Sequence, residues 1–466
     1  MTDPNLILDE TGTILKGIKD KSITSINIPN SATEIGDEAF KGCKSLQTID
    51  IPNSVTGIGA GTFIGCTSLQ TVDIPASVTE IGGSAFLGCK SLQAIDIPDS
   101  VTEIGAGTFK GCKSLQSIDI PKSVTEIASG AFLGCKSLQT INATEDNKHF
   151  SSADGILFNK NQSVFIRFPE GKRLEFYSIP ASVTEIGDNA FNGCGFLKDI
   201  DIPDSVTEIG VKVFYGCTSL QSVDIPESAT GIGWCAFFGC TSLQSVDIPN
   251  SITKIGIQTF SKCSSLRTID IPNSVTRIGM EAFNGCTSLQ SVDIPNSVSE
   301  IGAGAFKGCT SLQTIDIPNS VTKIGFGAFS GCTSLQSVDI PDSVKEIGEG
   351  AFKGCTSLQS IDIPESVTEI GDYTFKGCTS LQTIDIPNSV TKIGWRAFKD
   401  CISLKSIFCQ IKSLNNVIIH SRAFDSSLYD SVTLLIPPGT RWEYRHHPVF
   451  GKFRNIEIAS RREGTE

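Results

Sequence analysis

Seventeen cysteines are the first candidates for chemistry, because thiolates hold metals, form disulfides and act as nucleophiles. Fifteen of them stand at 43, 66, 89, 112, 135, 194, 217, 240, 263, 286, 309, 332, 355, 378 and 401. Every step is 23 residues except the one from Cys135 to Cys194, and only Cys235 and Cys409 fall off this lattice. Zinc sites pair cysteines two to four residues apart and often add histidines. Here the spacing is far wider, and His149, His420, His446 and His447 do not interleave with it. No metal site is expected. Parallel side chains on stacked repeats also have the wrong relative orientation for disulfides. Reduced thiols buried at a core position are expected instead, and these lean toward a reducing compartment or an anaerobic habitat.

A row of carboxylates is the second candidate. With Leu46 as position 1 of a repeat, Ile49, Ile51, Val55, Ile58, Phe63 and Cys66 are its other apolar members, at positions 4, 6, 10, 13, 18 and 21. Position 5 is Asp at 50, 73, 96, 119, 201, 224, 247, 270, 293, 316, 339, 362 and 385. Removing these thirteen from 50 acidic residues leaves 37 against 38 basic, so the net charge of -12 is numerically this row. Position 5 faces outward on a strand, and neighbours on successive coils would lie about 4.8 Å apart. Three readings stay open. The row is a lattice hydrogen-bonded to the Ser or Thr at position 3, an acidic strip for a basic protein surface, or a cation ladder. Asp224, Asp247, Asp270, Asp293 and Asp316 are its candidate partner-binding members. Calcium takes six to eight oxygens, which one carboxylate per coil supplies poorly.

No catalytic constellation accompanies these rows. The histidines have no Ser or Cys nucleophile partner in a recognisable pattern. Ile58 to Thr62 lacks the Gly-Lys-Ser/Thr ending of a phosphate loop. No enzymatic activity and no cofactor are expected. The acidic balance argues against nucleic acid, which needs a basic stripe. No apolar run of about 18 residues is present, so no membrane span is expected. The first ten residues are acidic and do not read as a secretory leader.

The variable positions are the remaining candidates. Position 12 runs mainly as Glu early and then includes Lys254, Arg277, Lys323 and Lys392. Tyr215 and Phe238 occupy position 19 of adjacent coils, while Trp234, Ile257 and Met280 occupy position 15. Exposed aromatic clusters mark contact surfaces; alternatively these side chains pack on one another between coils. Tyr215, Trp234, Phe238 and Ile257 are therefore candidate partner-binding residues, with self-association as one outcome.

A 23-residue period signals a solenoid, because one coil cannot bury its own apolar side chains. Ile49 and Ile51 alternate with Thr48 and Asp50 as a short half-buried strand, which Pro52 ends. Val55 to Ile58 is a second β-like stretch, and Phe63 to Cys66 suits one tight helical or 3₁₀ turn. The expected fold is a mainly β leucine-rich-repeat solenoid. It has one parallel sheet of about 16–17 short strands, turns or 3₁₀ elements on the other side, and capped ends. Residues 1–22 are the expected N-terminal cap, 23–403 the solenoid with a hairpin insertion at about 143–173, and 404–466 the C-terminal cap.

The recurrent Ile-Pro-x-Ser-Val-Thr-x-Ile-Gly-x-x-Ala/Thr-Phe-x-Gly-Cys resembles the BspA-like leucine-rich-repeat proteins of Bacteroides-type bacteria and some mucosal protists. The resemblance covers roughly residues 23–403. Position 9 departs from the common leucine-rich form, being Ser rather than Asn. The resemblance implies a protein-binding scaffold of the adhesin kind, on the cell surface or secreted, engaging matrix proteins such as fibronectin and fibrinogen. An intracellular or assembly-type interaction scaffold is the alternative, and a self-assembling structural protein the third.

Overall fold

The computed structural model describes residues 3–459. The outermost residues of both expected caps, 1–2 and 460–466, lie outside the described residues. The chain divides between Leu220 and Gln221 into two compact units.

Both units are built from the same coil, and each coil has three sides. On the first side, strands such as Ser25–Asn27 and Thr48–Asp50 pair in parallel with Asn27 opposite Asp50. In the C-terminal unit, Ser222–Asp224 pairs likewise with Ser245–Asp247, and further on the ladder narrows to single bridges between successive aspartates. The second β-like stretch is a two-residue strand with a ladder of its own. Lys254–Ile255, Arg277–Ile278, Glu300–Ile301, Lys323–Ile324 and Glu346–Ile347 form one five-stranded parallel sheet. On the third side, tight turns also bond coil to coil, as in Phe40 N to Thr62 O at 2.9 Å and Phe63 N to Ala85 O at 2.7 Å. All three sides therefore pass their main-chain bonds to the neighbouring coil, which satisfies buried peptide groups without long strands.

Side chains repeat the same logic. Phe63 stacks between Phe40 and Phe86 with centroids 5.3 and 5.2 Å away. In the C-terminal unit the stack runs from Phe237 through Phe260, Phe283 and onward to Phe398 and Phe424. Within each turn the carbonyl of such a Phe accepts from the N–H of the Cys three residues on, as in Cys43 N to Phe40 O and Cys263 N to Phe260 O, both at 3.1 Å. The lattice thiol of the next coil is a second donor to the same oxygen: Cys66 Sγ donates to Phe40 O at 3.1 Å and Cys286 Sγ to Phe260 O at 3.1 Å. A valine in that place would fill the space but remove this bond between coils. Ser at position 9 has a matching task, since Ser77 Oγ donates to Val55 O at 2.7 Å and Ser297 Oγ to Val275 O at 2.6 Å. Gly at position 14 lets coils touch: a Cβ on Gly82 would sit 2.4 Å from Ala60 N.

The ends and the insertion differ from the coils. Leu6–Leu8 and Ile14–Ile18 form an antiparallel hairpin whose second strand pairs in parallel with Glu34–Ile35. Asp9 closes the hairpin turn. Its carboxylate accepts from Ile14 N, Thr11 Oγ1 and Thr13 N, and these bonds, led by Ile14, pull its pKa down to about 2. Beyond Ser406–Cys409 the first-side ladder gains two further strands, Thr433–Ile436 and Asn455–Ile458. Two six-residue helices, Ser426–Ser431 and Arg441–His446, pack there. The hydroxyl of buried Tyr444 donates to Ile411 O at 2.8 Å. Phe150–Ala153 and Ile156–Asn159 form the insertion's hairpin, and Val164–Arg167 returns to pair with Glu185–Ile186.

All seventeen cysteines are reduced thiols, and all but half-buried Cys235 are buried. Burial pushes the thiols of Cys66, Cys286, Cys332 and Cys378 up to about 12. Raised thiols stay protonated until the pH approaches those values, and the thiolate is the reactive form. In the folded protein at pH 8, a thiol reagent such as dithionitrobenzoate should therefore modify Cys235 first and leave the lattice unreacted. Denaturant should release all seventeen. Rapid native labelling of lattice cysteines would contradict their packing.

Candidate interaction surfaces

Three surfaces collect the sequence-derived candidates. The aspartates lie on the first side of the coil, where residues of the strand alternate between core and solvent. Asp224, Asp247, Asp270, Asp293 and Asp316 are all exposed. Asp224 stands opposite Asp247 in register, and Asp270 opposite Asp293, which stands opposite Asp316. The expected bonds from position 3 do not form at Asp270, Asp293 or Asp316 among the described residues. Where the row ends beside the insertion, partners do occur: Asn142 Nδ2 donates to Asp119 at 3.1 Å and Ser178 Oγ to Asp201 at 2.7 Å. Along its length the row is thus a file of carboxylates facing solvent. Among the described residues, no group of three His, Cys, Asp or Glu is arranged to hold a metal ion.

The second surface follows position 15 of the C-terminal unit. Trp234, Ile257 and Met280 line one open groove of about 650 Å³, floored by Gly256, Gly279 and Gly302. The glycines matter here, because a Cβ on Gly256 would come 3.1 Å from Trp234 Cδ1. The indole therefore lies close over bare backbone. Trp234 is 59% and Met280 47% exposed, and Phe326, in the same file two coils beyond Met280, is 64% exposed. Ile257 is half-buried between its neighbours.

Position 12 edges this groove with charge. Lys254 and Arg277 are direct register partners, both exposed. Arg277 pairs with Glu300 at 2.9 Å, and Lys323 with Glu346 at 3.0 Å. Among the described residues Lys254 makes no ion pair. A cation beside an apolar floor suits an acidic side chain carried next to an apolar one.

Phe238 and Tyr215 are separate from the groove. Phe238 is half-buried, with Lys262 Nζ 5.0 Å above its ring. Tyr215 is half-buried in the N-terminal unit. The structure thus brings Trp234, Ile257 and Met280 together and leaves Phe238 outside the groove's lining. Phe326 was not singled out from the sequence. The signal for it was available, since position 15 reads Ala303, Phe326 and Glu349 on successive coils.

Parallel strands, short coils and turns on the far side make the protein a leucine-rich-repeat solenoid. Residues 18–139, 184–313 and 299–429 match the BspA type leucine rich repeat region, in six copies, and the chain belongs to that family. Among solved structures it is similar to a leucine-rich repeat protein from Eubacterium ventriosum, at 28% identity over 68% of this chain and 88% of that one, with a TM-score of 0.63. It is also similar to one from Bacteroides ovatus, at 31% identity over 89% and 96% of the two chains, TM-score 0.48. A leucine rich cell surface protein from Faecalibacterium prausnitzii matches at 29% identity over 68% and 93%, TM-score 0.46. Among curated proteins none matches. No helix among the described residues is long and apolar enough to cross a membrane.

Like charges held in register repel. Replacing Asp247, Asp270 and Asp293 together by Asn should raise the melting temperature, on the order of a few degrees. The gain should shrink at high salt, which screens exposed charges. A lower melting temperature at low salt would show that the carboxylates hold the sheet together.

Proposed function

We propose that this protein is a non-enzymatic protein-binding scaffold of the adhesin kind, which engages a matrix or other cell-surface protein. The observation that carries this reading is the groove of the C-terminal unit. Trp234, Ile257 and Met280 stay in or near solvent on coils whose inward apolar positions, such as Leu243, Val246, Ile255, Phe260 and Cys263, are buried. Keeping an indole and a thioether exposed costs solvation that a partner's surface would recover. Aromatic anchors surrounded by charged residues are the usual makeup of binding hot spots. Membership of the BspA type family supports the same reading, and the file of aspartates offers a second, electrostatic contact surface for basic partners.

Immobilised fibronectin and fibrinogen are suitable first ligands for surface plasmon resonance with the purified chain. Saturable binding to at least one is expected. The Trp234→Ala, Met280→Ala double variant should weaken it at least tenfold while circular dichroism stays unchanged. Absence of binding to both would count against the adhesin reading. Undiminished binding by the double variant would remove the groove from it.

A further inference from the structure

Within the N-terminal unit the first-side ladder is broken at the insertion. Among the described residues, strand Thr140–Ala143 pairs only with Ser117–Ile120, and strand Phe176–Ser178 only with Asp199–Asp201. The hairpin fills one side of this break. Gly155 O accepts from Ile141 N at 2.8 Å, and Ser152 Oγ from Ala143 N at 3.0 Å. These contacts satisfy the strand before the break. Among the described residues, nothing equivalent serves the strand after it.

Register shows which main-chain groups are left. Glu175 O accepts from Lys198 N at 2.7 Å and Asp199 N at 3.0 Å, and Ile179 N donates to Asp201 O at 3.0 Å. Alternation along a strand then turns the N–H and C=O groups of Phe176 and Ser178 toward the break. Among the described residues they have no partner. In an intact coil such groups are bonded to the preceding strand, as Asp201 opposite Ser178 demonstrates.

The side chains change at the same place. Leu at position 1 is fully buried at 69, 92, 115 and 138, yet Leu174 is 38% exposed. Position 3 carries small polar residues at Thr48, Ser117 and Ser245, but here it is Phe176, 56% exposed. Phe196, also exposed, replaces the Ser common at position 23, and the Arg173 guanidinium lies 5.3 Å above its ring. Arg173 makes no ion pair among the described residues.

We propose that the strand Phe176–Ser178 is a docking edge for an extended segment of a partner protein, which adds to it as one more strand. The segment's chemistry follows from the edge. Its peptide groups bond those of Phe176 and Ser178, an apolar side chain covers Leu174 and Phe176, and an acidic side chain meets Arg173. Strand addition of this kind derives affinity from the main chain and selectivity from alternate side chains. A single extended segment fits better than a second copy of this protein. The edge is three residues long and lies between folded coils, so edge-to-edge pairing would bury far less than the roughly 1,200 Å² of a stable interface. This site is independent of the groove at Trp234.

The test uses synthetic nine-residue peptides alternating Val or Ile with Glu or Thr, titrated against the full chain. Binding is expected for the Glu-containing peptides. Phe176→Ser, which restores an ordinary position 3, should weaken it at least tenfold. So should Ser178→Pro, which deletes an N–H that bonds to nothing within the protein. Both variants should melt close to the parent protein. Hydrogen exchange gives a readout that needs no variant: the amides of Phe176 and Ser178 should exchange fast in the free protein and slow with peptide bound. Slow exchange in the free protein, no peptide binding up to millimolar concentration, or equal binding by both variants would overturn the proposal. So would a concentration-dependent dimer that the same substitutions abolish, because the occupant would then be a second copy.

Discussion

Everything in this molecule depends on one constraint: each coil is completed only by its neighbour. A coil of 23 residues is too short to enclose a core, so equivalent positions must stack at the spacing of parallel strands. The constraint acts on main chain and side chain alike. Peptide groups on all three sides look to the next coil for partners. Phenylalanine rings meet at 5.1 to 5.9 Å through most of both stacks. The lattice thiols serve the same end, each capping the preceding coil's carbonyl while filling a core position. The repetition in the sequence is thus the direct record of a translational packing problem solved once and reused.

Surfaces are free of that constraint, and the coils differ there. Position 5 is the exception. It faces solvent yet is Asp in thirteen coils, although like charges in register work against the stack. Position 15 is more typical. It changes from Gly83, Ala106 and Ser129 to Trp234, Ile257 and Met280, with glycines beneath that hold the backbone open. The same scaffold thereby presents a small-residue surface in one stretch and an apolar groove in another. Neither change touches the core, which is why a solenoid can acquire binding surfaces locally.

Much of this was legible in the sequence because the coil's periodicity is so regular. The seven inward positions followed from the apolar spacing within the coil. The placement of Trp234, Ile257 and Met280 in one file followed from their shared position. Other features depend on hydrogen-bond direction, which spacing does not encode. Cys at position 21 read as a small hydrophobe, whereas its thiol is also a donor. Ser at position 9 read as a departure from the common pattern, whereas in many coils its hydroxyl bonds to the coil before, as Ser77 and Ser297 do. The second and third hydrogen-bonded sides rest on two-residue strands and single turns, too short to announce themselves by alternation. The bare edge at Phe176 needed the topology itself. Only the hydrogen bonds from Ile141 and Ala143 to the hairpin, with none from Phe176–Ser178 among the described residues, show which strand is left open.

The most direct measurement is a pair of deletions in the C-terminal unit, read by native thiol accessibility. Removing residues 312–334 excises one whole coil and lets Leu335 follow Thr310-Ser311 as Leu312 does now. The lattice cysteines on both sides should stay unreactive, with stability reduced only by one coil and its interface. Removing residues 312–322 takes about half a coil and shifts every later position out of register with the coils before it. Thiols around the junction, Cys286, Cys309 and Cys332, should then become reactive. If the half-coil deletion kept Cys286 and Cys309 as protected as the whole-coil deletion does, or if the whole-coil deletion exposed them, coil-on-coil register would not be what holds this protein together.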